Sequence, residues 1–298
     1  MTPPAERGLV LAFPECREQA AAVARAAGLG CAQITLHRFP DGESLVTLPE
    51  PVAPRVFIYR SLDQPNEKLL ELLMAAATAR DLGAARVGLV APYLCYMRQD
   101  KAFHPGEAVS QRIVGELLAG SFDEVVTVDP HLHRVATLEQ AVPVTTAVTV
   151  AASDAMARFL EQRLAAPILI GPDQESEQWV AAIARRNALQ YGVARKQRLG
   201  DSEVRVTLPE VDYAGRNVVL VDDIASTGNT VAATCRALAA HRPASIRVMV
   251  THALFAAGAL ERMLAAGADE VVSCDSIRHP SNRISLADSL ARALRDLR

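Results

Sequence analysis

The stretch Val218-Val219-Leu220-Val221-Asp222-Asp223-Ile224-Ala225-Ser226-Thr227-Gly228-Asn229-Thr230 decides how the rest of the chain is read. Four apolar residues in succession describe a strand buried on both faces, as in a parallel sheet. Two acids follow at its carboxyl end, then a short Ser/Thr/Gly/Asn loop, and Thr230 opens an apolar helical run over residues 231–240. Such a loop at a helix N-terminus points backbone N–H groups and the positive end of the helix dipole at an anion, typically phosphate. Adjacent carboxylates do a different job: they accept hydrogen bonds from sugar hydroxyls, or hold Mg²⁺ directly or through water. Strand, acid and helix alone would read as a capped junction. The full order hydrophobic-Asp-Asp-hydrophobic-x-Ser-Thr-Gly-x-Thr is far more specific and describes a sugar-phosphate site.

Composition bounds the setting. A chain of 298 residues holds one large domain or two ordinary ones. Half of it is hydrophobic and only 4% aromatic, so Ala, Val and Leu must build the core, which suits parallel strands under alanine-rich helices. A net charge of −3 leaves no electrostatic footprint for nucleic acid. The five cysteines (Cys16, Cys31, Cys95, Cys235, Cys274) are scattered without a C-x-x-C pair, and read as reduced thiols rather than a disulfide or zinc framework. Neither a secretory leader nor a membrane-length apolar run is visible, so a cytoplasmic protein is expected.

Laying the halves side by side reveals an internal repeat. Glu18-Gln19 matches Glu177-Gln178, Val56-Phe57-Ile58-Tyr59 matches Val218-Val219-Leu220-Val221, and Arg86-Val87 matches Arg247-Val248, each about 160 residues downstream. Residues 122–129 match 268–275 with a displacement about fifteen shorter, so the first half carries an insertion between Val87 and Asp123. Duplication of one βα domain is the reading, divided near residues 142–144 into 1–143 and 144–298. Alternating strands and amphipathic helices predict an α/β fold of two doubly wound, mainly parallel sheets, with ligands at the carboxyl ends of the strands.

The halves then diverge. Opposite Asp222-Asp223 the first half has Arg60-Ser61, and opposite Ser226-Thr227-Gly228 it has Gln64-Pro65-Asn66. It keeps the scaffold and lacks the sugar-phosphate loop. In exchange it carries the insertion, 93–110, and an early segment Arg38-Phe39-Pro40-Asp41-Gly42-Glu43, whose turn signature predicts a hairpin or flap. Phe39 stands there in a short polar turn with nothing local to pack on.

Several segments together resemble the ribose-phosphate diphosphokinase (PRPP synthetase) family along nearly the whole chain. They are Phe39-Pro40-Asp41-Gly42-Glu43, Pro92-Tyr93-Leu94-Cys95-Tyr96-Met97-Arg98-Gln99-Asp100-Lys101, Pro105-Gly106-Glu107-Ala108-Val109-Ser110, Val128-Asp129-Pro130-His131, Gly171-Pro172-Asp173, Lys196-Gln197-Arg198 and the opening loop. The shorter, archaeal-like branch is the nearer one. The resemblance implies two tandem phosphoribosyltransferase-type domains. The activity implied is transfer of the diphosphoryl group of ATP to O1 of ribose 5-phosphate, giving PRPP and AMP. It places ribose 5-phosphate on Asp222, Asp223, Ser226, Thr227, Gly228, Asn229 and Thr230. ATP falls to Arg98, Gln99 and Asp100, with the Phe39/Asp41/Glu43 flap reaching the adenine of a neighbouring subunit in a homo-oligomer whose functional unit is a dimer. His131 and Asp173 become the ligands of Mg²⁺, the expected cofactor, while Lys196 and Arg198 in a mobile loop close over the transferring phosphates.

Residue chemistry is compatible with these roles. An Arg at a strand's carboxyl end pairs with phosphate oxygens, and Gln offers both a donor and an acceptor to a base edge. Cations on developing phosphoryl charge are the main catalytic device of such reactions. Two features depart from the family: Gln174-Glu175-Ser176 after Asp173, and Ser226 where many bacterial members carry Asp; His133 has no assigned role. Two rival readings remain, a phosphoribosyltransferase that consumes PRPP and a catalytically silent regulatory homologue. The first leaves the degenerate first half unexplained; the second normally loses loop or metal residues, and none is lost here.

Overall fold

The computed structural model describes residues 8–132, 134–198 and 204–297. Contacts divide the chain into two compact units, one running to Ala151 and resuming at Leu286, the other spanning Ala152–Ser285. Each is built on a six-stranded sheet whose pairings are all parallel.

In the first unit the strands are β1 (Leu9–Ala12), β2 (Gly30–Gln33), β5 (Arg55–Tyr59), β6 (Arg86–Ala91), β7 (Glu124–Val128) and β8 (Thr146–Val150), in the order β2-β1-β5-β6-β7-β8. The hairpin β3 (Thr35–Arg38) and β4 (Ser44–Thr47) stands apart from the sheet. In the second unit β9 (Ile168–Gly171), β10 (Tyr191–Val193), β13 (Asn217–Ile224), β14 (Ser245–His252), β15 (Glu270–Cys274) and β16 (Asn282–Ile284) take the order β10-β9-β13-β14-β15-β16, again with a separate hairpin, β11 (Arg195–Arg198) and β12 (Val204–Thr207). Leaving the hairpins out, both sheets run second, first, third, fourth, fifth, sixth. The identical winding is the structural counterpart of the sequence repeat, and all four matched pairs fall in equivalent elements.

Burial explains why these runs are strands. β1, β9 and most of β5, β6 and β13 are buried along their length, since helices cover both faces and leave no solvated side to alternate toward. The covering helices are rich in alanine: α1 (Arg17–Ala27) buries Ala20, Val23, Ala24 and Ala27, and α2 (Pro65–Asp81) buries Ala75, Ala76 and Ala79 with Leu69 and Leu72. Small side chains let helix backbones approach the sheet closely.

The observed division departs from the expected one in two ways. β8 pairs in register with β7, from Glu124↔Thr146 to Val128↔Val150, so residues 146–150 complete the first sheet. The last helix, α9 (Ala287–Asp296), packs on α1, burying Leu290, Ala291, Ala293 and Leu294, and Arg295 donates to the carbonyl of Ala26 at 2.6 Å. A strand's home is set by its neighbour and a helix's by the apolar face it finds, and neither need respect a linear cut. Among the described residues no helix is long and apolar enough to cross a membrane.

Candidate active site

The second unit gathers its polar residues at the carboxyl ends of β9 and β13. β9 ends on Gly171, where a Cβ would lie 2.3 Å from the Ser176 hydroxyl; no larger residue fits under the turn that follows. That turn is a single 3₁₀ turn over Gln174–Ser176, capped by Asp173, whose Oδ1 accepts from the N–H groups of Glu175 at 3.1 Å and Ser176 at 3.4 Å. Ser176 returns a hydrogen bond from its hydroxyl to the Asp173 carbonyl at 2.5 Å. The unusual Gln174-Glu175-Ser176 is therefore a capping box leading into α6 (Glu177–Asn187), and one carboxylate oxygen of Asp173 is committed to it.

β13 ends in the two acids. Asp222 Oδ1 accepts the N–H of Asp223 at 3.0 Å, and Asp223 Oδ1 accepts that of Ile224 at 2.8 Å. Loss of hydration, then the charges of Asp223 and Asp173, push the Asp222 carboxyl well above the usual range for an aspartate. Three carboxylates crowded at two strand ends repel one another, and a cation or a sugar's hydroxyl donors would relieve that repulsion. These hard oxygen donors suit Mg²⁺. Among the described residues no group of three or more His, Cys, Asp or Glu could by itself hold a metal ion. An ion held by one or two carboxylates together with substrate phosphates and water needs no such cage.

Beyond the acids the chain turns through residues 225–228 into α7 (Asn229–Ala239). Gly228, the N-cap, has φ +72°, and a Cβ there would lie 3.2 Å from the Ala259 carbonyl of α8 (Ala259–Ala265). Both facts demand glycine. The Ser226 carbonyl accepts the N–H of Ala256 at 2.9 Å, the Thr227 carbonyl accepts the Arg262 guanidinium, and the Gly228 carbonyl accepts the N–H of Ala232 at 2.8 Å. Ser226, Thr227, Gly228, Asn229 and Thr230 thus form one turn at the amino end of a helix, next to Asp222 and Asp223, as the sequence predicts.

The equivalent place in the first unit is filled by the protein itself. Arg60 follows β5 and is buried; its Nε donates to Glu15 at 2.8 Å, Nη2 to Glu71 at 2.6 Å and Nη1 to the Lys68 carbonyl at 3.1 Å. The guanidinium carbon lies 3.8 Å from the centroid of the Phe13 ring. Lys68 in turn donates to the Ser61 carbonyl at 2.9 Å and to Asp63 at 2.8 Å. Arg60 and Lys68, the cations described at this place, already have their own acceptors. The absence of a sugar-phosphate loop from this half, expected from its sequence, has this physical form.

The insertion leaves β6 and wraps over its carboxyl end. Arg98 is exposed, and among the described residues nothing accepts from its guanidinium. Gln99 Oε1 accepts the Ser110 hydroxyl at 2.5 Å, an internal tie that opens α3 (Ser110–Ala119). Asp100 is occupied too: its carboxylate pairs with Arg134 at 2.5 Å and accepts that residue's N–H at 3.1 Å. Burial would raise its pKa, but these contacts outweigh it and hold the carboxyl below the usual range. Of the three, Arg98 alone has its side chain uncommitted.

Pro40-Asp41-Gly42 does close a hairpin, with Thr35↔Thr47 and Arg38↔Ser44 at its ends, and Asp41 Oδ1 accepts the N–H of Glu43 at 3.1 Å. Phe39 is 41% exposed and meets His37 edge-on, ring centroids 4.8 Å apart. The expectation that it has no local partner is corrected by that contact, made possible because residues two apart share a face of a strand. His131 is half-buried just past β7, after Asp129 and Pro130; it belongs to the first unit and Asp173 to the second. Lys196 and Arg198 have their backbones in β11, paired with Val206 and Val204. Their side chains, the loop at Gly200-Asp201-Ser202, and His133 lie outside the described residues.

Two anchors escaped the sequence reading. Arg262, on an exposed helix position, looks like a solvated charge, and Ala256 acts only through its backbone. A polar network at the end of β14, with His252 Nδ1 at 2.9 Å from the Ser276 hydroxyl, which donates to the Thr251 carbonyl at 2.7 Å, was equally illegible.

Comparison with known proteins follows the same outline. The profile of the N-terminal domain of ribose phosphate pyrophosphokinase matches residues 9–121, and that of the phosphoribosyl transferase domain matches residues 146–285. The ribose-phosphate pyrophosphokinase of Methanopyrus kandleri is 34% identical over 264 residues, covering 87% of this chain and 89% of the relative. The chain belongs to the ribose-phosphate pyrophosphokinase family. The protein of that name from Halobacterium salinarum is 34% identical over 96% of this chain and 100% of its own length, which agrees with the archaeal-like character of the motifs. In fold, the crystal structure of phosphoribosylpyrophosphate synthetase from Mycobacterium smegmatis is similar with a TM-score of 0.83 and 23% identity, covering 97% of this chain and 98% of that one. The activity is that of the family: ATP and ribose 5-phosphate give PRPP and AMP by diphosphoryl transfer, with a divalent metal ion.

Proposed function

We propose that the turn at residues 226–230 holds the 5-phosphate of ribose 5-phosphate and that Asp222 and Asp223 take the ribose hydroxyls. The observation that carries this reading is the turn itself: a left-handed glycine at a helix N-terminus, its carbonyls bound from behind, beside two crowded acids. Backbone N–H groups and the helix dipole favour a dianion there. The acids accept from hydroxyls and leave O1 exposed to attack the β-phosphorus of ATP.

The ATP side of the reading rests on Arg98, whose guanidinium is uncommitted, together with Gln99, Asp100 and the flap residues Phe39, Asp41 and Glu43. The internal ties of Gln99 and Asp100 make them shape the loop that presents Arg98 as well as line the site. His131 and Asp173 would hold Mg²⁺ as the divalent ion, and it would supply neutralisation of the triphosphate's charge. Lys196 and Arg198 meet the charge that develops on the bridging oxygen. With no protein group needed as base, catalysis is positioning and charge stabilisation. The protein works in the cytoplasm as a homo-oligomer in which the flap of one subunit completes the nucleotide site of the next.

Incubation with ATP, Mg²⁺ and ribose 5-phosphate yields equal amounts of AMP and PRPP. The double variant Ser226→Ala/Thr230→Val raises KM for ribose 5-phosphate with little change for ATP; unchanged KM for the sugar phosphate removes it from this turn. For the shared site, mixing inactive Glu43→Ala and Asp223→Asn subunits restores activity by pairing an intact flap with an intact sugar loop. Activity that stays at the parental sum while subunits exchange overturns the dimeric site.

A further inference from the structure

We propose that Arg262 is a positioning residue for the 5-phosphate: it fixes the Thr227–Gly228 peptide so that the N–H of Gly228 faces the anion. This deepens the assignment of residues 226–230 to the sugar phosphate and rests on it.

The inference follows from peptide geometry. A trans peptide is planar, so the carbonyl of one residue and the N–H of the next point in opposite directions. Three successive carbonyls of the turn, those of Ser226, Thr227 and Gly228, are bound by Ala256, Arg262 and Ala232. The N–H groups of Thr227, Gly228 and Asn229 must then point the other way. Among the described residues none of those three donors meets an acceptor. Successive free N–H groups in a turn of this shape are an anion-binding concavity.

Of the three anchors, Arg262 is the one made by a side chain. Ala232 belongs to the helix that any chain would form here, and Ala256 acts through its backbone. The Thr227–Gly228 peptide is also the one most free to turn over, because glycine takes either sign of φ at little cost. A flip would replace the Gly228 N–H with a carbonyl oxygen aimed at the phosphate, exchanging attraction for repulsion. Arg262 is well placed to prevent this. It sits in the last turn of the short helix α8, and that helix is pressed against the turn: a Cβ on Gly228 would lie 3.3 Å from Met263 Cγ and 3.5 Å from Ala259 Cβ. Its charge lies behind the loop and adds to the potential that a dianion feels.

The test compares Arg262→Ala, Arg262→Gln and Arg262→Lys with the loop variant Ser226→Ala/Thr230→Val, all in the full chain. Arg262→Ala should raise KM for ribose 5-phosphate by about tenfold or more, the size of one charge-assisted hydrogen bond. KM for ATP should stay within about twofold, since the anchor touches only the sugar-phosphate turn. Arg262→Gln keeps a donor and should fall between, and added guanidinium should partly restore Arg262→Ala. Independently of turnover, the rise in melting temperature caused by ribose 5-phosphate alone should shrink in Arg262→Ala, while the unliganded melting temperature stays near wild type because the residue is exposed. If the loop variant loses affinity and Arg262→Ala does not, the proposal is overturned and the phosphate turn stands. Equal losses for ATP and ribose 5-phosphate, with a lowered melting temperature, make Arg262 a packing residue and also overturn it. Unchanged sugar-phosphate affinity in the loop variant removes the phosphate from the turn and takes the proposal with it.

Discussion

Asp222 shows how a residue proposed to bind the sugar weakens the fold that carries it. Its folded-state pKa lies above the value in the unfolded chain, about 3.9, because of lost hydration and two neighbouring acids. A raised acid pKa contributes stability only while the group is protonated. Below about pH 4 that contribution is present, and it is lost as pH climbs through the raised value. Metal-free Asp222→Asn should accordingly melt higher than wild type at about pH 7, with the advantage vanishing below about pH 4. It should still lose roughly ten- to a hundredfold in kcat/KM, the size of one charge-assisted hydrogen bond. Melting curves across pH, with and without ligands, check both halves; equal melting temperatures at neutral pH would refute the repulsion. Arg60 makes the opposite case. Its side chain and that of Glu71 are 4% and 5% exposed, so Arg60→Ala strands the buried Glu71 carboxylate and should cost about 3–5 kcal/mol in urea unfolding. Replacing Arg60 and Glu71 together by apolar residues should cost much less. None of this was legible from the chain, because Glu15, Arg60 and Glu71 become neighbours only when the sheet forms.

Among the elements, the two hairpins are the least expected equivalence. β3 and β11 follow the second strand of their sheets, and Thr35↔Thr47 in one hairpin corresponds to Arg195↔Thr207 in the other. The signal was present: Asp41-Gly42-Glu43-Ser44-Leu45-Val46-Thr47-Leu48-Pro49-Glu50 returns as Asp201-Ser202-Glu203-Val204-Arg205-Val206-Thr207-Leu208-Pro209-Glu210. It is faint beside the buried strands, since hairpins that stand off a sheet carry little hydrophobic pattern. The same kind of hairpin thus recurs in both units, once carrying Asp41 and Glu43 and once Lys196 and Arg198. If the latter act only once charge shifts onto the bridging oxygen, removal should lower kcat and spare KM. Lys196→Ala and Arg198→Ala should each lose several orders of magnitude in kcat, with an arginine finger, worth about 10³–10⁵, as the comparison. KM for both substrates should move only a few fold, and steady-state kinetics decides. An unchanged kcat would leave this arm an ordinary hairpin.

For the whole molecule, what the sequence discloses follows the range of the interaction. Buried strands, the acids at the carboxyl end of β13 and the turn at 226–230 are local patterns, and all appear where expected. Which strand closes a sheet and which helix covers another depend on distant partners, so β8 and α9 pack across the linear cut at residues 143/144. The amphipathic pattern of α9 announces a buried face without naming its partner. Leu290 and Leu294 have no solvent exposure, so Leu294→Ala should cost about 2–5 kcal/mol. Hydrogen exchange should then accelerate in α1 and leave α7 protected; the reverse order would contradict the packing.

That last helix also sets a timetable. On the ribosome, residues 17–27 emerge early, yet the helix that covers them is specified by residues 287–296. Synthesis proceeds at about 5–20 residues per second, so the apolar face of α1 waits many seconds for its cover. During that interval the nascent first unit offers a chaperone or a neighbouring chain the surface that the finished protein hides. A chain cut just before residue 287 would leave the second unit whole and strip its cover from a helix some 260 residues upstream.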